Sequence, residues 1–330
     1  MGKHHGRGES RVARRAPART ACALTCLLLW IVAPRAGWTQ PACGRECLRA
    51  TLDRYFDAVF AHDPGAAPLA AHYRATENGA PLSNGTGIWR SATGYGAVAR
   101  RFVDPVAGQI AFLGIVQEQG GPALVSLRLA VEQGRVREAE WTVARQGAGG
   151  LFSIAGLVDN PPPPDEPLPP AERSVRPVLV ATADAYFDGL QQHDGSRVPH
   201  VAGCKRVENG VTVTAPPPGL HADAAVAGNA VPLAATAAMP GTAQEMRSGD
   251  CTAGFEHFAQ TIAETSHRRF PVVDEAAGVV MGTTLFHRPP SSTLRRNLLT
   301  EYFYEKQGRI TAIYAVMFYL DPAAPDSPGW

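Results

Sequence analysis

The stretch ATLDRYFDAVFAHDPGAAPLAAHYRATENG at residues 50–79 returns at residues 181–210 as ATADAYFDGLQQHDGSRVPHVAGCKRVENG. Thirteen of the thirty aligned positions are identical, and the alignment needs no gap. Chance gives about two identities over this length, so the chain contains an internal repeat. The similarity resumes where QGRV at 133–136 matches QGRI at 307–310. The second copy therefore carries about 40 extra residues, which we place between about 212 and 250.

Each copy begins with a helical pattern and ends with a strand pattern. Apolar residues recur at helical spacing at Leu48, Leu52, Tyr55, Phe56 and Val59, and at Leu179, Ala183, Tyr186, Phe187 and Leu190. Residues 125–131 then alternate between apolar and other side chains, which predicts a strand with one buried face. The Gln-Gly-Arg turns predict a hairpin in both copies. A helix followed by strands indicates an α+β fold.

This order of elements resembles the nuclear-transport-factor-2-like (SnoaL-like) cone fold. The chain is also similar to an uncharacterised family of exported bacterial and fungal proteins that contain two such cones. The segments that carry this resemblance are CGRECL at 43–48, TENG at 76–79, FVDPVAGQIAFLGIV at 102–116, AYFDGL at 185–190, RVENGV at 206–211, RRFPVVDEAAGVV at 268–280 and the terminal Gly329-Trp330. The resemblance implies two tandem cone domains, each a curved antiparallel sheet wrapped over an N-terminal helix. A pocket is expected at the open end of each cone.

Composition predicts an exported protein. Residues 1–40 hold seven of the 31 basic and one of the 30 acidic residues, with the apolar run ACALTCLLLWIVA at 21–33, as in a signal peptide. Without them the net charge is −5, which argues against nucleic acid as a partner. No apolar run is long enough to span a membrane. We expect a first cone at 41–158, a Pro-rich linker at 159–175 and a second cone at 176–330. The expected location is secreted or periplasmic.

Four cysteines follow residue 40, and an even number in an exported chain favours disulfides. Three pairings are possible. We favour Cys204–Cys251, which closes a long loop, and Cys43–Cys47 near the mature N-terminus. The spacing is poor for a four-thiolate zinc site, so no metal and no cofactor are expected.

Comparison of the two copies identifies candidate catalytic residues, because a polar residue at a position that is apolar in the other copy needs an explanation. Aligning the Gln-Gly-Arg turns places Glu301 over Leu127, on the apolar face of the strand. A buried carboxyl group has a raised pKa that suits general acid or base catalysis. The alternatives are that Glu301 pairs with Arg268 or Arg309, or that it faces solvent at a bulge. His287 aligns with Gln117 near a strand end and is a candidate proton shuttle, or else a surface residue.

Other candidates line the expected pocket or support the fold. Tyr186 and Tyr304 are candidates to orient a substrate, and Arg268, Glu208, Glu77 and Tyr55 are candidate substrate contacts. The alternative for Tyr55 and Tyr186 is core packing. The alternative for Glu77 and Glu208 is the Glu-Asn-Gly turn to which each belongs. We expect His62 and His193 to end helices, and Asp104 and Asp274 to pair with Arg101 or Arg269.

The function that the sequence favours is cofactor-independent acid/base chemistry on a small molecule in the second cone. Dehydration, isomerisation, cyclisation and hydrolysis are the reaction types that the resemblance suggests. The alternative is a non-catalytic binding protein for an apolar or aromatic metabolite. The two cones are expected to form a pseudo-dimer within one chain, which itself is a monomer or a homodimer.

Overall fold

The structure, a computed structural model, describes residues 43–214 and 250–325. The predicted signal peptide, most of the predicted insertion and the terminal Gly329-Trp330 lie outside these ranges. Among the described residues, no helix is both long and apolar enough to cross a membrane.

Two copies of one α+β unit make up the described chain. The first cone contains α1 (Arg45–Phe60), β1 (Leu69–Glu77), β2 (Ala80–Leu82), β3 (Ala92–Asp104), β4 (Gln109–Glu118), β5 (Ala123–Glu132) and β6 (Arg135–Ala144). A short helix α2 (Ile154–Asp159) follows it. The second cone contains α3 (Arg176–Gln192), β7 (His200–Glu208), β8 (Val211–Thr212), β9 (Glu264–Asp274), β10 (Val279–His287), β11 (Asn297–Lys306) and β12 (Arg309–Tyr319). A 3-10 helix, Phe255–Gln260, precedes β9.

Each cone is a curved six-stranded sheet wrapped over its N-terminal helix. The strand orders are β2-β1-β6-β5-β4-β3 and β8-β7-β12-β11-β10-β9. Both sheets are mixed rather than wholly antiparallel, because β1 pairs parallel with β6 and β7 parallel with β12. In each cone, the N-terminal helix and the connection after it lead into the first strand, which therefore runs parallel to the last strand of the same sheet. Register shifts in β3 and β9 mark irregularities of the kind that bend strands.

The predicted helical stripes form the centres of the two cores. All ten stripe residues are buried, and the five on α1 are fully buried. Helix ends and turns also match expectation. His62 and His193 have φ values of 54° and 56° at the ends of α1 and α3. Asn78 and Asn209 have positive φ values in the Glu-Asn-Gly turns, and each amide bridges the backbone of the neighbouring strand.

The convex faces of the two sheets pack against each other. The prediction of a strand with one buried face is wrong for β5, because nine of its ten residues are buried. Its second face contacts the other cone, where Ser126 lies 2.7 Å from the Tyr302 hydroxyl. Thr142 and Thr300 also hydrogen-bond across this boundary, at 2.9 Å. The cones therefore form an intramolecular pseudo-dimer.

Two reciprocal ion pairs fasten the cones together. Arg45 at the start of α1 reaches Asp274 of the second cone at 2.6 Å. The equivalent residue, Arg176 at the start of α3, reaches Asp104 of the first cone at 2.5 Å. Each aspartate also accepts a hydrogen bond from a backbone N–H of the opposite cone. The expected pairing of these aspartates with Arg101 or Arg269 is thus wrong, because the charges are exchanged between copies.

Candidate functional site

The concave face of the second cone has smaller side chains than the concave face of the first cone at matching positions. Strand register aligns three adjacent positions of the two sheets. These positions hold, in the first and second cone, Phe112 and Gly282, Leu127 and Glu301, and Trp141 and Ala315. Two large aromatic side chains are therefore exchanged for a hydrogen atom and a methyl group. Glu301 occupies the position of Leu127, as the alignment predicts.

A cavity of about 100 Å³ lies in the second cone. Its walls are mainly apolar and include Leu190, Phe258, Ile262, Phe286, Leu294 and Met317. Its polar groups are Tyr186, Glu208, Thr261, Arg288, Asn297, Glu301 and Tyr319. Gly150 and Leu151, from the segment after β6, complete the lining. An engineered apolar cavity of roughly 150 Å³ holds benzene, so this cavity has room for one small molecule of the same order of size.

Glu301 is a buried acid that faces this cavity. Burial raises the pKa of its carboxyl group to about 8, and the negative charge of Glu208 adds to this effect, whereas Arg206 opposes it. Its Oε2 atom is fully buried and has no hydrogen-bond partner among the described residues. Neither Arg268 nor Arg309, the partners considered above, contacts it. The carboxyl group is therefore available to a bound molecule.

Arg206, which lies close enough to Glu301 to lower the pKa of its carboxyl group, was not predicted from the sequence. Only 1% of it is exposed. Its Nε lies 3.1 Å from Glu208, and its Nη1 donates to the carbonyl oxygen of Cys251 at 3.0 Å and to the Tyr186 hydroxyl at 3.5 Å. The rings of Phe255 and Phe258 flank the guanidinium group. This places a positive charge and an aligned hydroxyl group beside the carboxyl group of Glu301.

The repeat contained a signal for Arg206. In the same gapless alignment, Arg206 corresponds to Ala75, a small apolar residue that is also buried. A charged residue at a position that is apolar in the other copy needs a reason. The alignment of β7 with β1 therefore contains a signal for Arg206, as the alignment of β11 with β5 does for Glu301.

Both favoured disulfides are present. Cys43–Cys47 lies at the start of α1, and Cys204–Cys251 joins β7 to the segment before the 3-10 helix. Cys204 corresponds to Tyr73 of the first cone, which hydrogen-bonds to Tyr55 at 2.8 Å. Because Cys251 supplies the carbonyl oxygen that binds Arg206, the second disulfide also supports the cavity.

Three candidates from the sequence lie away from the cavity. Phe286 lines it, so strand alternation turns His287 to the other face, where its Nε2 is 2.7 Å from Ser266 Oγ. Tyr304 likewise points away from Glu301 and packs between the two sheets. Arg268 lies on the outside of α3 and pairs with Asp184 and Asp188. Of the predicted residues, the structure brings together Glu301, Tyr186 and Glu208.

The two candidates in the first cone, Tyr55 and Glu77, contribute to the packing and ion pairs of that cone. Tyr55 is fully buried against Trp89 and Trp141. Glu77 pairs with Arg145 at 3.1 Å and accepts a hydrogen bond from the Ile88 backbone N–H at 2.8 Å. Within residues 43–214 and 250–325, no three His, Cys, Asp or Glu side chains are grouped as metal ligands.

Solved structures that are similar to this chain include the following three. They are an NTF2-like protein of unknown function from Cytophaga hutchinsonii (12% identity, 29% of this chain and 89% of that one, TM-score 0.25), a protein from Sphaerobacter thermophilus (17%, 29% and 94%, TM-score 0.25) and the BvnE pinacolase from Penicillium brevicompactum (15%, 30% and 84%, TM-score 0.25). No curated protein matches the chain.

A protein-family model described as "Domain of unknown function (DUF8021)" matches residues 172–317. This range begins just before α3 and ends within β12. The family model thus covers the cone that contains the cavity.

Proposed function

We propose that the protein is a secreted or periplasmic enzyme that performs cofactor-independent acid/base chemistry on a small organic molecule in the second cone. The observation that carries this proposal is the buried carboxyl group of Glu301, which faces a cavity and has an Oε2 atom without a partner in the described residues. Dehydration, isomerisation, cyclisation and hydrolysis all need such a proton-transfer group.

Glu301 is the proposed proton donor and acceptor. With a pKa of about 8, the carboxyl group is mostly protonated at neutral pH, and both forms are accessible near that pH. A catalytic pKa close to the working pH gives efficient proton transfer in both directions. Glu301 would donate a proton to a substrate oxygen or remove one from carbon, and its partner-free oxygen leaves room for that contact.

Arg206 and Tyr186 are proposed to stabilise negative charge that develops on the substrate. The Tyr186 oxygen accepts a hydrogen bond from Arg206, so its own proton is free to be donated. Burial raises the pKa of Tyr186 well above its usual value, which keeps the hydroxyl group protonated. Glu208 holds Arg206 in place through the 3.1 Å ion pair. Donors fixed in a water-poor site favour a charged transition state.

The alternative is a non-catalytic binding protein. The mainly apolar wall favours it, because such a wall retains an apolar or aromatic metabolite without chemistry. Native mass spectrometry of protein purified from its own host's exported fraction provides the ligand, and the chemical fate of that ligand distinguishes the two functions. A ligand returned unchanged after incubation supports binding alone.

Glu301→Gln tests the enzymatic proposal, with Glu305→Gln as its matched control. Glu305 is a second buried acid on the same face of β11, but it does not line the cavity. We expect Glu301→Gln to fold and to lose roughly 10²–10⁴-fold in turnover. The control should retain turnover. Equal turnover in both variants and the wild type would overturn the assignment of Glu301.

A further inference from the structure

At the open ends of the two cones, matching positions carry different charged residues. In the first cone, Arg145 lies between two acids, 2.7 Å from Glu118 and 3.1 Å from Glu77. This network neutralises the arginine. Ser91 adds a further hydrogen bond to Glu118.

Register identifies the corresponding residues of the second cone. The pairing of Val116 with Ala123 corresponds to that of Phe286 with Asn297. Two residues further along, Arg288, just after β10, therefore corresponds to Glu118 at the end of β4. The pairing of Asn297 with Tyr319 places Tyr319 at the position of Arg145. Glu208 keeps the position of Glu77. One acid has become an arginine, and the original arginine has become a tyrosine.

Arg288 lines the cavity and is held by neutral groups. It donates to the carbonyl oxygens of Arg295 at 2.9 Å and Thr261 at 2.7 Å, and to the side-chain oxygen of Asn297. These contacts use three of its five N–H groups. No acidic side chain of the described chain forms an ion pair with it. Partial burial lowers the pKa of its guanidinium group, and the nearby Tyr319 and Glu208 only partly oppose this effect.

The charges around the cavity do not cancel. Glu208 is bound to Arg206 by their ion pair. Glu301 is largely neutral at pH 7 because its pKa is about 8. Among the described residues around the cavity, Arg206 and Arg288 together with Glu208 therefore leave an excess of one positive charge when Glu301 is protonated. Such a site favours a bound anion with one negative charge.

We propose that Arg288 binds the carboxylate of the substrate, and that the substrate is a small monocarboxylic acid with an apolar body. The planar guanidinium group matches a carboxylate with two parallel hydrogen bonds. The apolar wall, including Phe286, Leu294 and Met317, encloses the body of the molecule. This inference rests on the proposed function, because it assigns the other end of the same substrate to Glu301. A single unbalanced charge favours a carboxylate over a doubly charged phosphate.

Calorimetric titration of residues 41–330 with benzoate, benzamide and phenyl phosphate tests this assignment. Benzoate and benzamide have nearly the same shape and differ in charge. We expect benzoate to bind at least about tenfold more tightly than benzamide or phenyl phosphate, since a charge-assisted bond to a buried arginine is stronger than a neutral one. Equal affinities, absence of benzoate binding at millimolar concentration, or tighter binding of phenyl phosphate would overturn the proposal.

Variants assign the effect to Arg288. Arg288→Gln should weaken benzoate binding at least about tenfold and leave benzamide unchanged, whereas Arg288→Lys, which keeps the charge, should recover part of the affinity. The matched control is Arg309→Gln, which changes an exposed arginine whose guanidinium group donates to the carbonyl oxygen of His200 and does not line the cavity. Benzoate binding that survives Arg288→Gln contradicts the assignment. Benzoate binding is measured without turnover, so the two failures are distinguishable. Benzoate binding that depends on Arg288 while Glu301→Gln retains turnover overturns only the catalytic role of Glu301, and benzoate binding that does not depend on Arg288 overturns the carboxylate site.

Discussion

The stability of the protein should depend on pH through Glu301, and Glu301→Gln should remove that dependence. Burial raises the pKa of this carboxyl group from 4.5 to about 8. Between these values the unfolded chain releases the proton and the folded chain keeps it. The contribution of Glu301 to stability is therefore fully present below pH 4.5 and is lost as the pH rises to about 8.

The magnitude follows from the size of the shift. Each pH unit between the two pKa values costs about 1.4 kcal/mol, so the group destabilises the native state by about 5 kcal/mol at high pH. Glutamine resembles the protonated acid and does not ionise. We expect wild type and Glu301→Gln to have similar free energies of unfolding near pH 4.5. Above pH 8 the variant should be more stable by several kcal/mol.

Urea unfolding at pH 3, 4, 5, 6, 7, 8 and 9 measures this difference and also covers the acid range in which the control responds. Fluorescence of the buried Trp89 and Trp141 reports the transition. Glu118→Gln is the control of opposite sign. Although burial opposes the effect, hydrogen bonds from Arg145 and Ser91 lower the pKa of Glu118. The stability that Glu118 contributes is therefore lost as the pH falls, and the deficit of its glutamine variant should shrink under acid conditions.

A constant difference between Glu301→Gln and wild type from pH 5 to pH 9 would refute the reasoning. It would mean that Glu301 is ionised in the folded protein, paired with a cation, and unable to act as an acid. Glu305 also has a raised pKa, of about 9, because of burial. It is present in both proteins, so it adds to the pH dependence of each and does not alter their difference.

Three further predictions concern a disulfide, the ion pairs between the cones and the replacement of Glu301 by its counterpart in the first cone. Replacing Cys204 and Cys251 by serine should cost about 4 kcal/mol in urea unfolding, given the separation of 47 residues, and should weaken ligand binding because Arg206 loses its fixed carbonyl partner. Arg45→Ala and Arg176→Ala should each cost roughly 3 kcal/mol, since each leaves a buried aspartate unpaired. Glu301→Leu, which copies the first cone, should abolish turnover while raising the melting temperature at pH 8.

Local patterns and the repeat predict the two-cone architecture and the position of Glu301 on the concave face. The helical stripe of α1 identifies its buried side chains directly, because burial follows the period of the helix. Glu301 is predictable because a duplicated strand shows which positions are apolar in the other copy. The alignment of Arg206 with Ala75 carries the same signal in β7.

Other features depend on contacts that no local pattern contains. The exchange of Arg45 and Arg176 between copies needs knowledge of how the two sheets pack, and each arginine looks like an ordinary residue at a helix start. Burial of the second face of β5 has the same origin. His287 was misplaced because one position along a strand reverses the face, so its neighbour Phe286 reached the cavity instead.

The two copies differ in how they fill their concave faces. The first cone keeps large aromatic residues on its concave face and a neutralised arginine at its mouth. The second replaces them with small residues, a neutral acid and an arginine without an acidic partner in the described residues. Buried charges and unpaired polar groups lower stability, and the shared sheet interface with its reciprocal ion pairs supplies compensation. A tandem arrangement therefore allows one cone to carry a destabilising site because the other cone is well packed against it.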